Sequence, residues 1–297
     1  MNLFLKLIYF FLLILDKFFF YIFRKNFLIR LSEYIQNKSY KVIEINKKKI
    51  NFFVPNNLIL WRVDTFYEKE PETLEWINSF ENNPGYSFWD IGANIGLYSI
   101  YNATRNDKLK TIAFEPSSSN LRVLSRNISI NNLSESINIF PLALSNLPKN
   151  ISLMNESNFI EGGALNSFDV NYDFDGKLFK TDNKYSILGT NINFLIKNKI
   201  LDIPDYIKID VDGIEHLILQ GSLDFLSNKK IKKLMIELNE EFEEQYNNSF
   251  KILNSNDFVF VEKKRNENFY KSKNDSKFSN VFNYFFTKRN LIKFYVR

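Results

Sequence analysis

The stretch Phe88-Trp89-Asp90-Ile91-Gly92-Ala93-Asn94-Ile95-Gly96-Leu97-Tyr98 constrains this chain more than any other. The apolar run from Tyr86 to Ile91 predicts a buried strand, and Leu97 to Ala103 predicts the start of a helix. Two glycines four residues apart lie between them. A turn this tight needs backbone without a Cβ, both to bend and to let a ligand approach the main chain. The helix that follows offers unpaired N–H groups and the positive end of its dipole to such a ligand. Asp90 is expected to place a carboxylate beside the same crevice.

One helix later, Lys110-Thr111-Ile112-Ala113-Phe114-Glu115 reads as a second strand closed by an acid. In open parallel sheets an acid in this place accepts the hydroxyls of a ribose while the first turn holds the rest of the nucleotide. Asp90, Gly92, Gly96 and Glu115 thus predict a nucleoside-cofactor site. A dinucleotide fingerprint would read G-x-G-x-x-G, its second glycine admitting a pyrophosphate. Here the loop is Gly92-Ala93-Asn94-Ile95-Gly96, with the middle glycine missing and an acid ahead of it. That favours a cofactor ending in an amino acid, whose ammonium an acid can hold, and S-adenosylmethionine fits. A nicotinamide or flavin enzyme is the alternative on these residues.

A third segment, Tyr206-Ile207-Lys208-Ile209-Asp210-Val211-Asp212-Gly213-Ile214-Glu215, repeats the order of strand, acid, glycine turn and helix. Together with the first loop and Phe114-Glu115-Pro116, it closely resembles the FkbM family of S-adenosylmethionine-dependent methyltransferases. The resemblance takes in Asn127, Asn131 and Pro141-Leu142-Ala143-Leu144-Ser145, and Lys69-Glu70-Pro71-Glu72-Thr73 upstream, covering about residues 60 to 262. It implies a Rossmann-like class I methyltransferase fold, an α/β sheet that is mostly parallel with an antiparallel edge strand and helices on both faces. It also implies that Asp90, Gly92, Ala93, Asn94 and Gly96 surround the methionine part of the cofactor and that Glu115 meets the ribose. Pro116, Ser145 and Asp210 complete the implied cofactor set.

Composition narrows the chemistry. With no cysteine, disulfides, thiolate catalysis and Cys-based zinc sites are excluded, and a single histidine, His216, excludes multi-histidine metal sites. No metal is expected. The 31 Phe and 15 Tyr supply ample core. Charge is uneven: residues 1–50 carry a net +7, residues 263–297 a net +8, and the middle a net −10. An acidic body is poorly suited to a phosphate backbone, so no nucleic acid is expected. Basic ends suit an anionic membrane surface or an acidic partner.

Leu3 to Phe23 is almost wholly apolar but is interrupted by Lys6, Asp16 and Lys17. At helical spacing these three, with Asn2 and Arg24, fall within a sector of about 100°. Residues 1–26 are therefore expected to form an apolar helix, residues 1–25 of it lying in a bilayer interface or packed on the body or on a second copy. A tilted spanning anchor stays open. The expected location is cytoplasmic, at the inner face of the membrane if the helix binds there.

Tyr40 to Ile45 and Ile50 to Val54 read as a hairpin, Pro71 suits the first turn of a helix, and Asn83-Pro84-Gly85 is a strong break. Residues 27–84 are expected to cover one side of the sheet, and 85–290 to form the cofactor-binding domain. Strands are predicted at 86–91, 110–115, 136–142, 206–211, 232–238, 257–262 and 281–287, with helices near 96–105, 117–131, 190–199, 214–227 and 240–255. Residues 150–187 are polar and turn-rich and read as a substrate-facing lid inserted over the carboxyl edge, or as an ordinary variable insertion.

Methyl transfer to an alcohol needs two reactants held together and a group to accept the proton. Asp210, Asp212 and Glu215 are the catalytic candidates. Asp212 equally suits a turn or cap with Gly213, and Glu215 a first-turn acid favoured by the helix dipole. His216 reads as structural and Glu237 as a lesser candidate. The expected reaction is O-methylation of a sugar, glycolipid or secondary metabolite, so the partner is a small-molecule or glycan acceptor. A nucleic-acid or protein methyltransferase, or a non-catalytic nucleotide-binding protein, are the alternatives.

Overall fold

The computed structural model describes residues 2–272 and 278–292; of the basic carboxyl-terminal stretch, 273–277 and 293–297 lie outside them, as does residue 1 of the expected apolar helix. Helices α1 (Asn2–Phe23) and α2 (Phe27–Lys38) come first, followed by a hairpin of β1 (Tyr40–Ile45) and β2 (Lys48–Phe53). Its turn is tighter than the polar run suggests. Asn46 and Lys47 alone make it, with φ of 49° and 65°, the left-handed backbone of a two-residue hairpin loop. Helices α3 (Asn57–Asp64), α4 (Phe66–Lys69) and α5 (Pro71–Asn78) complete this part, Pro71 sitting in a first turn where its missing N–H is no loss.

The strand–helix alternation then begins with β3 (Ser87–Ile91), α6 (Leu97–Arg105), β4 (Lys110–Phe114), α7 (Ser118–Ile130) and β5 (Ile137–Phe140). A second, small sheet follows, made of β6 (Ala143–Leu144), β7 (Asn150–Asn155), β8 (Ser167–Phe168) and β9 (Lys184–Thr190) in the order β6-β9-β7-β8. The turn-rich segment 150–187 thus carries strands at both ends, β7 and β9 pairing antiparallel. The chain returns through α8 (Ile192–Lys197), β10 (Tyr206–Ile209), α9 (Glu215–Gln220), α10 (Leu223–Leu226), β11 (Lys233–Asn239), α11 (Glu243–Ser255), β12 (Phe258–Lys264), α12 (Glu267–Ser272) and β13 (Val281–Lys288).

The main sheet has seven strands in the order β12-β13-β11-β10-β3-β4-β5. All seven predicted strands are in it. Only β13 runs against its neighbours, and it lies one place in from the edge, between β11 and β12. Strand order reverses between β3 and β10, and in such sheets ligands bind outside the carboxyl ends at that switch point.

Alternation along each strand sorts the core into two layers. Phe88, Ala113, Tyr206 and Met235 face the hairpin, α5, α6 and α7, while Trp89, Ile91, Ile207, Ile209 and Ile236 face the opposite helices. Asp90, Lys208 and Glu237 follow the first parity. A polar row therefore runs along the face covered by residues 66–78, near the carboxyl ends of the central strands.

Candidate active site

The first loop is built as its glycines require. Gly92 has φ +85°, and a Cβ there would fall 1.8 Å from the Asp210 carbonyl oxygen. Its N–H and that of Ala93 both donate to the Phe114 carbonyl oxygen, at 3.0 and 2.9 Å, drawing the loop across the end of β4. Asn94 takes a left-handed φ of 50°, which asparagine tolerates better than most residues. Its N–H donates to Glu115 Oε2 at 2.7 Å and its Nδ2 to the Gly163 carbonyl oxygen at 2.7 Å. Behind the loop, Asn127 Nδ2 donates to the Ile95 carbonyl oxygen at 2.9 Å, while Asn127 Oδ1 and Asn131 Oδ1 each accept a β2 N–H at 2.8 Å. Asn127 on α7 thus joins the hairpin to the loop, and Asn131, capping the same helix one turn on, adds a second hold on β2.

A cavity of about 610 Å³ opens over these elements. Gly92, Ala93, Asn94, Glu115, Pro116, Asp210 and Asp212 line it; Asp90, Gly96, Ser145 and Glu215 do not. Asp90 is sealed beneath the loop, accepting from Ser99 Oγ at 2.6 Å, because strand alternation turns it under the N-terminal layer. Gly96 caps α6 and packs on Leu124. Ser145 is held in the small sheet, its N–H on the Thr190 carbonyl oxygen. The Glu215 carboxyl folds back on its own turn, accepting from the N–H groups of Val211 and Gly213 at 3.1 and 3.0 Å and from Gln245. His216 also lies off the cavity, its ring 5.9 Å from Phe242 and burial holding it below the usual imidazole range.

One end of the cavity is apolar, with Leu142, Leu144, Met154 and Phe168 near Glu115. Burial pushes the Glu115 carboxyl up to about 7, against N–H donors from Ser117 and Asn94. The other end is ionic. Lys208, buried inside β10, sets Nζ 3.0 Å from Asp210 Oδ2 and 3.4 Å from Asp90 Oδ1. Burial favours neutral lysine, yet Asp210 and Asp90 outweigh it and hold Lys208 above its usual range. Burial would also raise Glu70, but its ion pair with Lys69 and a 2.7 Å bond from the Tyr98 hydroxyl keep it at about 2. For Glu237, burial, then Asp210 and Glu70, outweigh the opposing charge of Lys69 and push it well above the usual carboxylate range. Asp212 Oδ2 accepts the Leu165 N–H at 2.7 Å, and burial with Asp210 nearby pushes it up to about 6.

Among the described residues, the cavity wall brings the carboxyls of Glu70, Glu115, Asp210, Asp212 and Glu237 together with the cationic side chains of Arg62, Lys69 and Lys208. Sequence reasoning missed Lys208, Tyr98, Trp61 and Tyr270, and took Glu70 only from the family pattern. Lys208 left one signal, a lysine between two isoleucines in an otherwise buried strand.

The profile described as Methyltransferase FkbM domain matches residues 90–271, which carry both loops and the cavity acids except Glu70. The chain belongs to the FkbM methyltransferase family. The cofactor of that family is S-adenosylmethionine, and the sheet order is that of its Rossmann-like fold. Methyltransferase sdnD of Sordaria araneosa is 30% identical over 151 residues, 44% of this chain and 58% of sdnD, so the match spans just over half of that relative. Among solved structures, an FkbM methyltransferase from Methylobacillus flagellatus KT is similar at 16% identity and TM-score 0.36, covering 65% of this chain and 54% of its own. TYW2 of M. jannaschii in complex with AdoMet is similar at 11% identity and TM-score 0.41, covering 84% and 87%. A putative SAM-dependent methyltransferase from Streptococcus mutans reaches TM-score 0.48 at 9% identity, covering 84% and 55%. Of the missed residues, Trp61 and Tyr270 reach the cavity from α3 and α12, outside the central sheet.

Proposed function

We propose that this chain methylates a hydroxyl oxygen on a sugar, glycolipid or small metabolite, using S-adenosylmethionine. The observation that carries the reading is one cavity joining a buried ribose-type acid, Glu115, to the acid pair Asp210 and Asp212. The donor set fits the cofactor: apolar side chains for an adenine, a carboxyl with spare lone pairs for ribose hydroxyls, and the Asp210 carboxyl for an ammonium. In this reading Glu115 holds the ribose, the Ala93–Asn94 backbone borders the methionine part, and Asp210, steadied by Lys208, faces the ammonium. When bound, the cofactor supplies an electrophilic methyl group and its own leaving group.

Asp212 is assigned the acceptor's hydroxyl proton. One of its oxygens is fixed by the Leu165 N–H, and a carboxyl near 6 accepts a proton without being protonated beforehand at neutral pH. Glu215 is a positioning residue in this scheme, because it fixes the Val211–Gly213 backbone and does not reach the cavity. Trp61, Tyr98 and Tyr270 offer flat rings to the C–H face of a sugar, and the buried Glu237 carboxyl offers a hydroxyl partner.

The test is transfer of labelled methyl from S-adenosylmethionine to fractionated glycan, lipid and metabolite extracts. Label that survives alkaline hydrolysis as a methyl ether supports the reading. Label found as an ester, on protein or on nucleic acid overturns it. Asp212→Asn should lower turnover at least tenfold with cofactor affinity kept, as expected for an interaction made in the transition state.

A further inference from the structure

The amino-terminal helix pair has an apolar surface of a shape that one protein partner does not cover. On α1, Leu3, Phe4, Leu5, Leu7, Phe10 and Phe11 are all more than half exposed. Successive helix residues turn by about 100°, so these six span an arc of about 220°. A helix packed on a protein face buries a stripe of roughly 100°. Further along, α2 already occupies one side of α1: Phe27 stacks on Phe19 at 5.1 Å, and the Leu28 N–H donates to Asp16 Oδ1 at 2.9 Å. Ile14, Phe18 and Tyr21 remain exposed on the opposite side. The only acid on α1, Asp16, thus faces α2, and the cations of that helix are Lys6 and Lys17.

The same region is strongly cationic, with ten Lys or Arg and three acids in residues 1–50. No helix among the described residues is long and apolar enough to cross a membrane. We propose that α1, steadied by α2, embeds in one leaflet of an anionic lipid bilayer. The lipid tails surround the wide apolar arc, and the headgroups meet Lys6, Lys17, Arg24 and the basic residues that follow. A second copy of the chain fits less well, since two cationic regions would be brought together.

The helix pair is tied to the body through α2. Arg122 on α7 donates from Nη2 to Gln36 Oε1 of α2 at 2.8 Å and pairs through Nη1 with Glu161, next to the glycines over the cavity. Arg126, one turn on, stacks 3.9 Å over the Phe53 ring and donates to the Tyr40 hydroxyl at 2.7 Å. A bilayer holding α1 would thus bring the cavity roof toward its surface, where a lipid-borne acceptor would arrive.

The experiment is flotation of the full chain with phosphatidylcholine vesicles, with and without phosphatidylglycerol, at low and high salt. Cofactor titration serves as the folding control and sedimentation velocity reports self-association. Expected are flotation with the anionic vesicles, weakening in high salt, and a loss of about tenfold or more in Phe11→Glu and Phe18→Glu with cofactor binding unchanged. Lys6→Glu with Lys17→Glu should remove the preference for anionic lipid. The proposal is overturned if the wild-type chain stays unbound, if it binds neutral and anionic vesicles alike, or if the Phe variants float as well as wild type. Self-association abolished by Phe11→Glu, without vesicle binding, would assign the face to a second copy. None of these outcomes depends on the methyl acceptor.

Discussion

Asp90 and Lys208 are register partners across the β3–β10 switch point, with Nζ 3.4 Å from Oδ1 and both side chains sealed from solvent. The position closest to the reversal of strand order, where the sheet splays to admit a ligand, is thus occupied by an ion pair. Its second partner, Asp210, reaches the cavity, so the lysine links a buried acid to an exposed one. Lys208→Met should destabilise the fold by about 3–5 kcal/mol, because it leaves the Asp90 charge buried and unmatched. Adding Asp90→Asn should recover most of that loss. Urea denaturation of the single and double variants checks it, and a single variant within about 1 kcal/mol of wild type would show that the pair is not what holds Asp90.

With Glu115 on the ribose as proposed, cofactor binding acquires a pH dependence of definite sign. With its carboxyl pushed up to about 7 by burial, the group is protonated below that pH and loses acceptor strength toward ribose hydroxyls. Affinity for 5′-methylthioadenosine, which has the ribose but no amino group to titrate, should rise by up to about tenfold per pH unit toward 7 and then level off. Glu115→Gln should bind more weakly and without that slope. Calorimetry from pH 5.5 to 8.5 measures both.

What the sequence discloses is the order of buried elements. Parallel strands covered on both faces are apolar runs, and 86–91, 110–115 and 206–211 stand out as such. What it hides is which way an acid at a strand end turns. Asp90 and Asp210 both lie near a carboxyl end, yet Asp90 is one residue inside β3 and goes under the helix layer, while Asp210 is one residue past β10 and reaches the crevice. Glu215 misleads for a similar reason: its turn curls back, so an acid in the family motif supports backbone and leaves the cavity wall to Asp212. The small sheet is hidden because β7 and β9 expose Ile151, Leu153 and Leu188, leaving no continuous buried run among polar neighbours. Trp61 and Tyr270, more than two hundred positions apart in the chain, come to one cavity only through the fold.

Three buried carboxyls predict how cofactor-free stability changes with pH. Glu115 and Glu215 rise from 4.5 to about 7, and Asp212 from 3.8 to about 6, all chiefly by burial. A carboxyl with a raised folded pKa binds its proton more tightly in the fold. Its stabilisation is complete below the unfolded pKa and is lost as pH climbs through the folded one. Glu70, held at about 2, acts oppositely, and its contribution fades only as pH falls from 4.5 toward 2. Unfolding midpoints should therefore fall between about pH 5 and 7.5. Glu215→Gln should flatten that fall by about 1–3 kcal/mol, read from urea curves at each pH.

The cavity roof is pinned by side chains from the first loop, α7 and α3, which makes its opening a testable step. Asn120 Oδ1 accepts the Gly162 N–H at 2.8 Å, and its Nδ2 donates to the Gly163 carbonyl oxygen at 3.1 Å. Asn94 donates to the same Gly163 oxygen, and Arg62 Nε to the Gly162 oxygen at 2.7 Å. Gly162 must be glycine here, with φ +78° and room for a Cβ only 2.6 Å from Ile59 Cγ1. Asn120→Ala removes the bonds to both glycines while the Asn94 and Arg62 bonds remain, so the roof should loosen without global unfolding. At about 1 kcal/mol for each bond lost, cofactor dissociation should quicken by about tenfold to thirtyfold. Limited proteolysis between residues 157 and 166 should quicken with it, while the urea midpoint shifts little. Stopped-flow displacement of S-adenosylhomocysteine gives the rate. An unchanged rate with faster proteolysis would mean that the cofactor leaves by another route than under Gly162–Gly163.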